Sequence, residues 1–425
     1  MTTEQHREIP RPTAAQLRWQ RAGTGVFFHF GINTFADREW SDGTLPAELF
    51  APTDLDVDQW LDAAELAGAR YVVLTAKHHD GFCLWPTATT AYSVASSSWR
   101  DGAGDVVREL ADACRERGMG FGLYLSPWDR HAPEYADPDL YDNLYAAQLT
   151  ELLTGYGDLV EVWFDGAGSE GRTYDWPRFM RLVAKHQPEA MVFNMGAPTI
   201  RWVGNEDGLA TDPVDYVADA VPLSQYVVGE AALPVPRYLP PECDVSIRRG
   251  WFWHADESPK SVPHLLAIHQ GSVELGANLL LNLPPDRSGR IDAADVARLT
   301  EYQAELDLRF GHPVSARLHA QDDGVWEAQI PDEIIAGHIE LQERLDDGQR
   351  VREHRVESAG AVLAEGHTIG VRRIHRLPDG DARTFTVTLT GGGELEAVFV
   401  HPAADTRYEP LLPPDYAAST DAPDR

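Results

Sequence analysis

The strongest chemical signal in the sequence is Asp165, which ends the apolar run EVWFD and is followed by Gly166. A carboxylate at the end of a buried strand is typical of a catalytic group at the mouth of a parallel barrel. Asp-Gly is also common in turns, so Asp165 alone leaves a structural interpretation open. As a catalytic group, Asp165 would attack the anomeric carbon of a sugar, and that reaction needs a second carboxyl.

Two glutamates are candidates for this second carboxyl, and both lie in an irregular segment of the chain. Glu206 occurs in RWVGNEDG, and Glu242 occurs in PPECDVSI. Either segment could fold over the ends of the strands, and the spacing of the residues does not decide between them. Most glutamates are solvated surface residues, so neither position indicates catalysis by itself.

Histidines follow two of the apolar runs: His29 comes after GVFF, and His78 and His79 come just before Asp80. Imidazole and carboxylate ligands together would suit zinc. Neighbouring residues of a strand point to opposite sides, however, and no HxH or HExxH pattern occurs. We therefore expect no catalytic metal and interpret these imidazoles as hydrogen-bonding groups for sugar hydroxyls. The alternative is a metal-dependent hydrolase that uses His78, His79 and Asp165.

Aromatic residues are also concentrated near these strand ends. Flat apolar rings beside a few hydrogen-bonding groups are typical of sugar-binding sites. The same rings can equally fill the interior of a barrel, so they agree with a sugar site without establishing one. The aromatic residues are Phe27, Trp40, Trp85, Tyr124, Trp163, Trp251 and Trp253.

A repeating pattern of strands and helices up to Phe310 must position these side chains. Apolar runs of strand length alternate with helical patterns, which indicates a parallel sheet buried on both faces. No GxGxxG follows the first strand, so a (β/α)8-like TIM barrel over residues 1–312 is predicted rather than a dinucleotide-binding fold. The predicted helices are Val57–Ala67, Asp105–Arg117, Leu140–Leu153, Trp176–His186, Lys260–Gly271 and Asp292–Phe310.

Three stretches depart from this alternation. Residues 197–258 are irregular and rich in Pro, Gly and Trp, with one strand expected within ECDVSIRRGWFWH. Short runs of period two, separated by turn residues, predict a small antiparallel β-sandwich over residues 313–403. Residues 404–425 are rich in Pro and Asp and are predicted to form a loose tail.

Composition limits the partners of the chain. Its 425 residues carry 36 Lys plus Arg against 67 Asp plus Glu, a formal net charge of −31. Such a surface repels phosphate backbones and anionic lipids, so neither nucleic acid nor a membrane is expected as a partner. The sequence shows no signal peptide, no apolar run of membrane-spanning length and no disulfide framework. A cytoplasmic location is expected, or a secreted one if a leader was removed, and no oligomeric state is predicted.

Several long motifs in one order carry a family resemblance. Between Gly25 and Ile291 the chain contains GVFFHFGINTF, KHHDGFCLWPT, GLYLSPWD, VWFDG, RWVGNEDG, PPECDVSIRRGWFWH and NLLLNLPPDRSG. In these motifs the chain resembles the α-L-fucosidases of glycoside hydrolase family 29. The resemblance implies a retaining double displacement that uses neither a metal nor an organic cofactor.

The resemblance also implies roles for individual residues. Asp165 matches the family nucleophile. Phe27, Tyr124 and Trp163 match the aromatic surround of the C5 methyl group of fucose. The positions that match hydrogen-bonding contacts to the sugar hydroxyls are His29, Glu39, Trp40, His78 and His79.

The acid/base residue depends on the subfamily that the chain resembles. RWVGNEDG and PPECDVSIRRGWFWH resemble the subfamily restricted to branched α-1,3/1,4-fucosyl links, which implies Glu206 as the acid/base and Glu242 as a substrate-binding or structural residue. The subfamily that hydrolyses aryl fucosides would instead favour Glu242 as the acid/base. We therefore expect a retaining exo-α-L-fucosidase that acts on terminal α-1,3/1,4-linked fucose of branched, Lewis-type oligosaccharides. The alternatives are a broad-specificity α-L-fucosidase, a glycosidase for another sugar and a carbohydrate-binding barrel without turnover.

Overall fold

Ten β-strands lie before residue 283 in the computed structural model, which describes residues 9–168, 171–224, 227–321, 324–414 and 416. They are β1 Thr24–Phe28, β2 Tyr71–Lys77, β3 Gly120–Leu125, β4 Glu161–Trp163, β5 Met191–Phe193, β6 Arg201–Trp202, β7 Val217–Ser224, β8 Val227–Tyr238, β9 Pro241–Ser246 and β10 Asn278–Asn282. Eight of them form one parallel sheet, in the order β5-β4-β3-β2-β1-β10-β9-β6.

The two edges of this sheet approach each other. A parallel bridge joins Phe193, the last residue of β5, to Ile200, which directly precedes β6. Strand β6 in turn pairs in parallel with β9. The eight strands therefore form a nearly closed parallel barrel, and the predicted TIM-like (β/α)8 fold is confirmed.

Helices alternate with the barrel strands, as the sequence predicts. They are α1 Ala14–Ala22, α2 Ile32–Ala36, α3 Val57–Leu66, α4 Val106–Arg117, α5 Pro138–Gly155, α6 Trp176–His186, α7 Val262–Gly271 and α8 Ala293–Phe310, with short 3-10 helices at Ala47–Leu49, Val94–Ser96, Trp99–Gly102, Pro133–Ala136 and Val273–Leu275. Five helices begin after an aspartate whose carboxylate accepts a backbone N–H of the first turn, which stabilises the helix end. These aspartates are Asp56, Asp105, Asp137, Asp175 and Asp292. Over the described ranges, no helix combines the length and the apolarity that a bilayer span needs.

Side chains of the barrel strands alternate between two hydrophobic layers, because successive residues of a strand point to opposite faces. Val72 and Leu74 of β2 belong to the larger cluster that also contains the helix side chains. Tyr71 and Val73 of the same strand belong to the interior cluster. This interior layer supplies the bulky side chains Phe27, Tyr124, Trp163, Phe193 and Trp202.

An antiparallel hairpin of β7 and β8 lies outside the barrel sheet, between β6 and β9. The irregular pattern of residues 197–258 does not predict this hairpin. Pro222, Pro234 and Pro236 interrupt its strands, and proline is unusual inside a strand because it lacks the N–H donor. The strand expected within ECDVSIRRGWFWH is β9, which pairs in parallel with β10 on one side and with β6 on the other.

Two antiparallel sheets follow the barrel. Their strands are β11 Val314–Ser315, β12 Arg317–Ala320, β13 Val325–Gln329, β14 Ala336–Glu343, β15 Glu353–Ser358, β16 Ala361–Gly366, β17 Arg373–Arg376, β18 Thr384–Thr390 and β19 Leu395–Pro402. One sheet has the order β11-β19-β14-β17, and the other has the order β12-β13-β18-β15-β16. Ile339 and Val400 of the first sheet share a core with Phe385 of the second, so the predicted C-terminal sandwich is confirmed.

The last barrel helix ends at Phe310, and the first strand of the sandwich begins at Val314. The domain boundaries at residues 312 and 403 stay a prediction. Residues 404–414 and Tyr416 contain no helix or strand, but the Leu411 N–H donates to the Pro263 carbonyl of the barrel at 2.9 Å. Residues 415 and 417–425 of the predicted loose tail lie outside the described residues.

Candidate active site

The C-terminal ends of the barrel strands surround one pocket. Active sites of such barrels lie at this end because the loops that follow the strands converge there. The structure brings most of the predicted site residues to this pocket and leaves Glu39 and Glu242 out of its lining. The lining residues are Phe27, His29, Trp40, His78, His79, Tyr124, Trp163, Asp165, Gly166, Ala167, Phe193, Asn194, Trp202, Glu206, Asp244 and Trp251.

Asp165 follows β4 by two residues, and its carboxylate is held by two hydrogen bonds. The Tyr124 hydroxyl donates to Oδ2 at 2.9 Å, and the Ala167 N–H donates to Oδ1 at 2.8 Å. His79 Nε2 lies 3.6 Å from Oδ2. The side chain keeps 22% of its surface exposed, so the carboxylate is both oriented and accessible from the pocket.

Three imidazoles of the pocket are buried and uncharged. His29 donates from Nδ1 to Asn282 Oδ1 at 2.9 Å, and His79 Nδ1 lies 2.7 Å from Ser126 Oγ. Burial lowers the pKa of His29 to about 3 and that of His79 to about 4, and it lowers the pKa of His78 well below its usual value. A neutral imidazole offers one donor and one acceptor, which suits the hydroxyl groups of a sugar.

Aromatic rings form the floor and one side of the pocket. The ring centroids of Phe27, Tyr124 and Trp163 lie 5.4–5.8 Å from one another. Trp163 also stacks on Phe193, with centroids 3.9 Å apart. Trp40 stands edge-on to the imidazole of His79 at 5.6 Å. Apolar faces beside neutral polar groups provide the mixed surface that sugar rings bind.

Glu206 enters the pocket from the loop after β6, close to a tryptophan from another loop. The Trp251 indole N–H donates to Glu206 Oε2 at 3.0 Å. Trp251 also lies against His29, with ring centroids 4.9 Å apart. The pocket therefore contains a second carboxyl, Glu206, which comes from a different strand end than Asp165.

Glu39 lies behind the pocket wall, where it holds the loop that carries Trp251. Its carboxylate accepts the backbone N–H groups of Trp251 and Phe252 at 2.9 and 3.2 Å. His254 Nε2 lies 2.7 Å from Glu39 Oε1, and this hydrogen bond raises the pKa of His254 to about 9. Glu39 is therefore paired with a protonated imidazole, and it shapes the pocket through the loop rather than lining it.

Glu242 is fully buried inside the barrel, below the pocket floor. The Tyr71 hydroxyl donates to its Oε1 at 2.7 Å, and the Trp163 indole N–H donates to its Oε2 at 3.2 Å. Burial raises the pKa of Glu242 to about 7, and the neighbouring Glu161 is hydrogen-bonded to it. The expected contact between Glu242 and substrate does not match this position, because Trp163 lies between this carboxyl and the pocket.

Asp244 is a pocket carboxyl that the sequence reasoning overlooks. It lies on β9 two residues after Glu242, so period-two alternation points both side chains into the barrel. The Trp202 indole N–H donates to its Oδ1 at 2.7 Å, and burial raises its pKa to about 8. The alternating acids in ECD are the signal that would have found it, once β9 is recognised as a barrel strand.

Within the described part of the chain, no three His, Cys, Asp or Glu side chains are grouped as ligands of a metal ion. His78 and His79 follow each other on the chain, and His79 Nε2 lies 3.6 Å from Asp165 Oδ2, whereas His78 Nδ1 lies 3.9 Å from Asp80 Oδ2. The metal-dependent alternative therefore has no ligand set among the residues that the structure describes.

Comparison with known proteins decides the family. A family model described as alpha-L-fucosidase matches residues 3–306 of this chain, well over half of its length. The chain belongs to the α-L-fucosidases of glycoside hydrolase family 29. The match covers every strand of the barrel and every candidate site residue named above.

Relatives from plants and bacteria agree with this assignment. The chain is 39% identical to a putative α-L-fucosidase 1 of Oryza sativa subsp. japonica, over 90% of this chain and 83% of the relative. It is 46% identical to α-L-fucosidase 1 of Arabidopsis thaliana, over 75% of this chain and 64% of the relative. A crystal structure of a putative α-L-fucosidase from Bacteroides ovatus superposes with a TM-score of 0.85 at 38% identity, covering 95% of this chain and 76% of the other.

The predicted enzyme class is therefore confirmed: the protein is a glycoside hydrolase that acts on α-L-fucosides. A family 29 fucosidase from Ruminococcus gnavus, 28% identical with a TM-score of 0.80, has been solved in complex with fucose. That superposition covers 94% of this α-L-fucosidase and 97% of the other chain, so the same fold accommodates fucose in a relative.

Proposed function

We propose that this α-L-fucosidase is a retaining exo-enzyme that releases terminal α-1,3/1,4-linked L-fucose from branched oligosaccharides. Asp165 acts as the nucleophile, and Glu206 acts as the acid/base. The observation that carries the proposal is that these two carboxyls line one pocket, whereas Glu242 is sealed inside the barrel. Cleavage of a glycosidic bond needs two carboxyls at the same bond, and Asp165 and Glu206 meet that need.

In the first step, Asp165 attacks C1 of the fucosyl residue while Glu206 protonates the glycosidic oxygen. The C1–O bond breaks, the remaining oligosaccharide leaves with a new hydroxyl group, and fucose is esterified to Asp165. The hydrogen bonds from the Tyr124 hydroxyl and the Ala167 N–H keep Asp165 oriented for this attack. Preorganised donors of this kind reduce the reorganisation that the reaction requires.

In the second step, Glu206 takes a proton from water, and the oxygen of that water attacks C1 of the ester. Asp165 leaves as a carboxylate, and fucose is released with its original anomeric configuration. The Trp251 indole N–H supports this role because it fixes one oxygen of Glu206 at 3.0 Å. Glu39 acts indirectly, since it holds the backbone of Trp251 in place.

The fucosyl residue is bound by the neutral imidazoles and by the aromatic floor. His29, His78 and His79 exchange hydrogen bonds with its hydroxyls, and their lack of charge leaves the carboxylate as the local anion. Phe27, Tyr124, Trp163 and Trp40 surround the apolar face and the C5 methyl group. Glu242 supports this floor through Trp163 instead of touching the sugar.

The linkage proposal rests on the two motifs that surround the acid/base region. RWVGNEDG, which contains Glu206, and PPECDVSIRRGWFWH resemble the subfamily that cleaves branched α-1,3/1,4-fucosyl links. The second motif also carries Trp251, whose indole contacts Glu206. The acid/base and its tryptophan partner thus both come from the segments that distinguish the subfamilies.

The linkage is tested by fucose release from a Lewis-type trisaccharide, 2′-fucosyllactose and an aryl fucoside, each assayed with wild type and with Asp165→Asn as the inactive control. We expect release from the Lewis trisaccharide to exceed release from the other two by orders of magnitude. Release mainly from 2′-fucosyllactose and the aryl fucoside would contradict the proposed linkage and would favour a broad-specificity enzyme.

The acid/base assignment is tested by azide rescue of Glu206→Ala with an activated aryl fucoside. Such a substrate needs little protonation to leave, so the fucosyl ester accumulates and azide replaces the water that Glu206 would activate. We expect azide to restore turnover of Glu206→Ala and to have no effect on Glu242→Ala. Rescue of Glu242→Ala alone would instead assign the acid/base to Glu242.

A further inference from the structure

Asp244 is a third carboxyl of the pocket, and the proposed chemistry does not use it. It is only 2% exposed, yet its side chain contributes to the pocket lining together with Asp165 and Glu206. On β9 it lies one interior layer closer to the mouth than Glu242 and pairs in register with the apolar Leu280 of β10. This position places Asp244 at the floor of the pocket, where an exo-acting enzyme binds the terminal sugar of its substrate.

The groups around Asp244 favour its neutral form. Burial raises the pKa of Asp244 to about 8, and the nearby carboxyls of Glu242 on the same strand and Asp165 at the end of β4 add to this increase. From β6 the group that faces it is the uncharged Trp202 indole, whose N–H favours the ionised form without reversing the shift. No Lys or Arg is present in the described lining to balance a second carboxylate. Like charges that share a site keep one carboxyl protonated.

We propose that Asp244 is a substrate-binding carboxyl that keeps its proton and donates a hydrogen bond to an oxygen of the bound fucosyl residue. The Trp202 N–H occupies Oδ1, which leaves Oδ2 as the oxygen that would carry the proton in this proposal. This inference rests on the proposed function, since it takes Asp165 as the attacking carboxylate of the same pocket.

The proton of Asp244 changes how the pocket binds a sugar. A neutral Asp244 adds a donor to a wall whose imidazole nitrogens also serve as acceptors, and it leaves the negative charge of the pocket on Asp165. An ionised Asp244 would lose its donor and would place a second charge near the nucleophile. Binding of fucose should therefore weaken as the pH rises through the pKa of Asp244.

The test is titration of the full-length enzyme with L-fucose by calorimetry, at about pH 6 and about pH 9, on either side of this pKa. Four proteins are compared: wild type, Asp244→Asn, Asp244→Ala and Asp105→Asn. The amide of Asn keeps a donor and an acceptor but cannot ionise. Asp105→Asn is the matched control, because Asp105 is a partly buried helix cap outside the pocket lining and Asn also caps helices.

We expect wild type and Asp105→Asn to bind fucose about tenfold more weakly at the higher pH, as loss of one hydrogen bond and added repulsion imply. Asp244→Asn should bind within about threefold of wild type at the lower pH and should show no weakening at the higher pH. Asp244→Ala should be about tenfold weaker at both values.

Two results would overturn the inference. One is an Asp244→Asn variant whose affinity falls with pH as much as that of wild type. The other is an Asp244→Ala variant that binds fucose as tightly as wild type, since Asp244 would then only hold Trp202. Failure of the linkage proposal is a separate result, because this test uses fucose itself and requires no cleavage.

Discussion

Tyr124 is the residue whose single hydrogen bond bears most directly on the proposed chemistry. Its hydroxyl donates to Asp165 Oδ2 at 2.9 Å, and burial, followed by the charge of Asp165, raises its pKa well above the usual value. The hydroxyl therefore keeps its proton and remains a donor at neutral pH. The attacking carboxylate depends on this donor for its orientation.

Removing this donor should slow catalysis without unfolding the enzyme. We expect Tyr124→Phe to lower kcat/KM by roughly 10- to 100-fold, the usual range for a hydrogen bond to a charged group. Tyr145→Phe is the matched control, because that hydroxyl is equally buried but bonds to the Leu125 carbonyl outside the pocket. Equal activity of Tyr124→Phe and wild type would show that Asp165 is oriented by other groups.

At the scale of elements, two carboxyls from different strands are neighbours in the barrel interior, Glu161 of β4 and Glu242 of β9. Glu242 accepts hydrogen bonds from Tyr71 and Trp163, and Trp19 donates to Glu161 Oε2 at 3.2 Å. Burial first, and Glu242 second, raise the pKa of Glu161 well above its usual value. Glu161 therefore stays protonated, and its O–H donates a hydrogen bond to Glu242. Glu242 in turn accepts the indole N–H of Trp163, so the pair supports that side chain.

This pair makes stability depend on pH. A carboxyl whose pKa is higher in the folded state stabilises the fold below its unfolded pKa of about 4.3, and that stability is lost as the pH rises through the folded pKa. For Glu242 this stability is lost over the pH range from about 4.3 to about 7. The neutral amide of Glu161→Gln keeps the donor to Glu242 and removes one titrating group.

We therefore expect the melting temperature of Glu161→Gln to fall less than that of wild type between about pH 5 and about pH 8, by a few degrees. Calorimetric melting at several pH values measures this difference. Glu365→Gln is the control, because it removes one charge from an exposed site of the same acidic molecule. Parallel pH profiles for wild type and Glu161→Gln would contradict the shared proton.

The sequence predicts elements well where each one buries a continuous apolar run. The helix Trp176–His186 has the predicted bounds, and the predicted helix Asp105–Arg117 is observed as Val106–Arg117. The β7–β8 hairpin was not predicted, because its prolines disguise the alternation of its strands. A helix or strand can be predicted when its spacing of apolar residues is regular along the chain. The prolines of the hairpin interrupt that spacing.

The site was predictable in part, for a related reason. Asp165 and the histidines follow predicted strands, so their convergence in one pocket follows from the fold. The position of Glu39 behind the wall depends on contacts with residues more than 200 positions away, and no local pattern contains that information. Asp244 and Trp202 were overlooked because their strands lie in the irregular segment.

At the scale of the whole molecule, the barrel and the sandwich are joined by charged groups near the hairpin. Arg373 of β17 donates two hydrogen bonds to Asp212, which precedes β7, at 2.9 and 3.0 Å. The hydrogen bond from Arg373 lowers the pKa of Asp212. Arg373 is buried, so a charge without this partner would be costly. A nearby pair, Arg352 and Asp215, is exposed.

We expect Asp212→Asn to lower the free energy of unfolding by about 1–3 kcal/mol, because it leaves a buried guanidinium short of its anion. Urea denaturation at neutral pH measures this loss. Asp215→Asn is the matched control, since its exposed pair should contribute less than about 1 kcal/mol. Equal losses for both variants would contradict a structural role for the buried pair.

The cytoplasmic location of the protein stays a prediction.

The assignment of Asp165 as the nucleophile is the central claim, and covalent trapping tests it most directly. A fluorinated fucosyl fluoride forms a glycosyl-enzyme that turns over slowly, so the labelled peptide can be identified by mass spectrometry. We expect one fucosyl group per chain, attached to Asp165, and no label in Asp165→Asn. Label on Asp244, Glu206 or Glu242 in the wild-type enzyme would contradict the account.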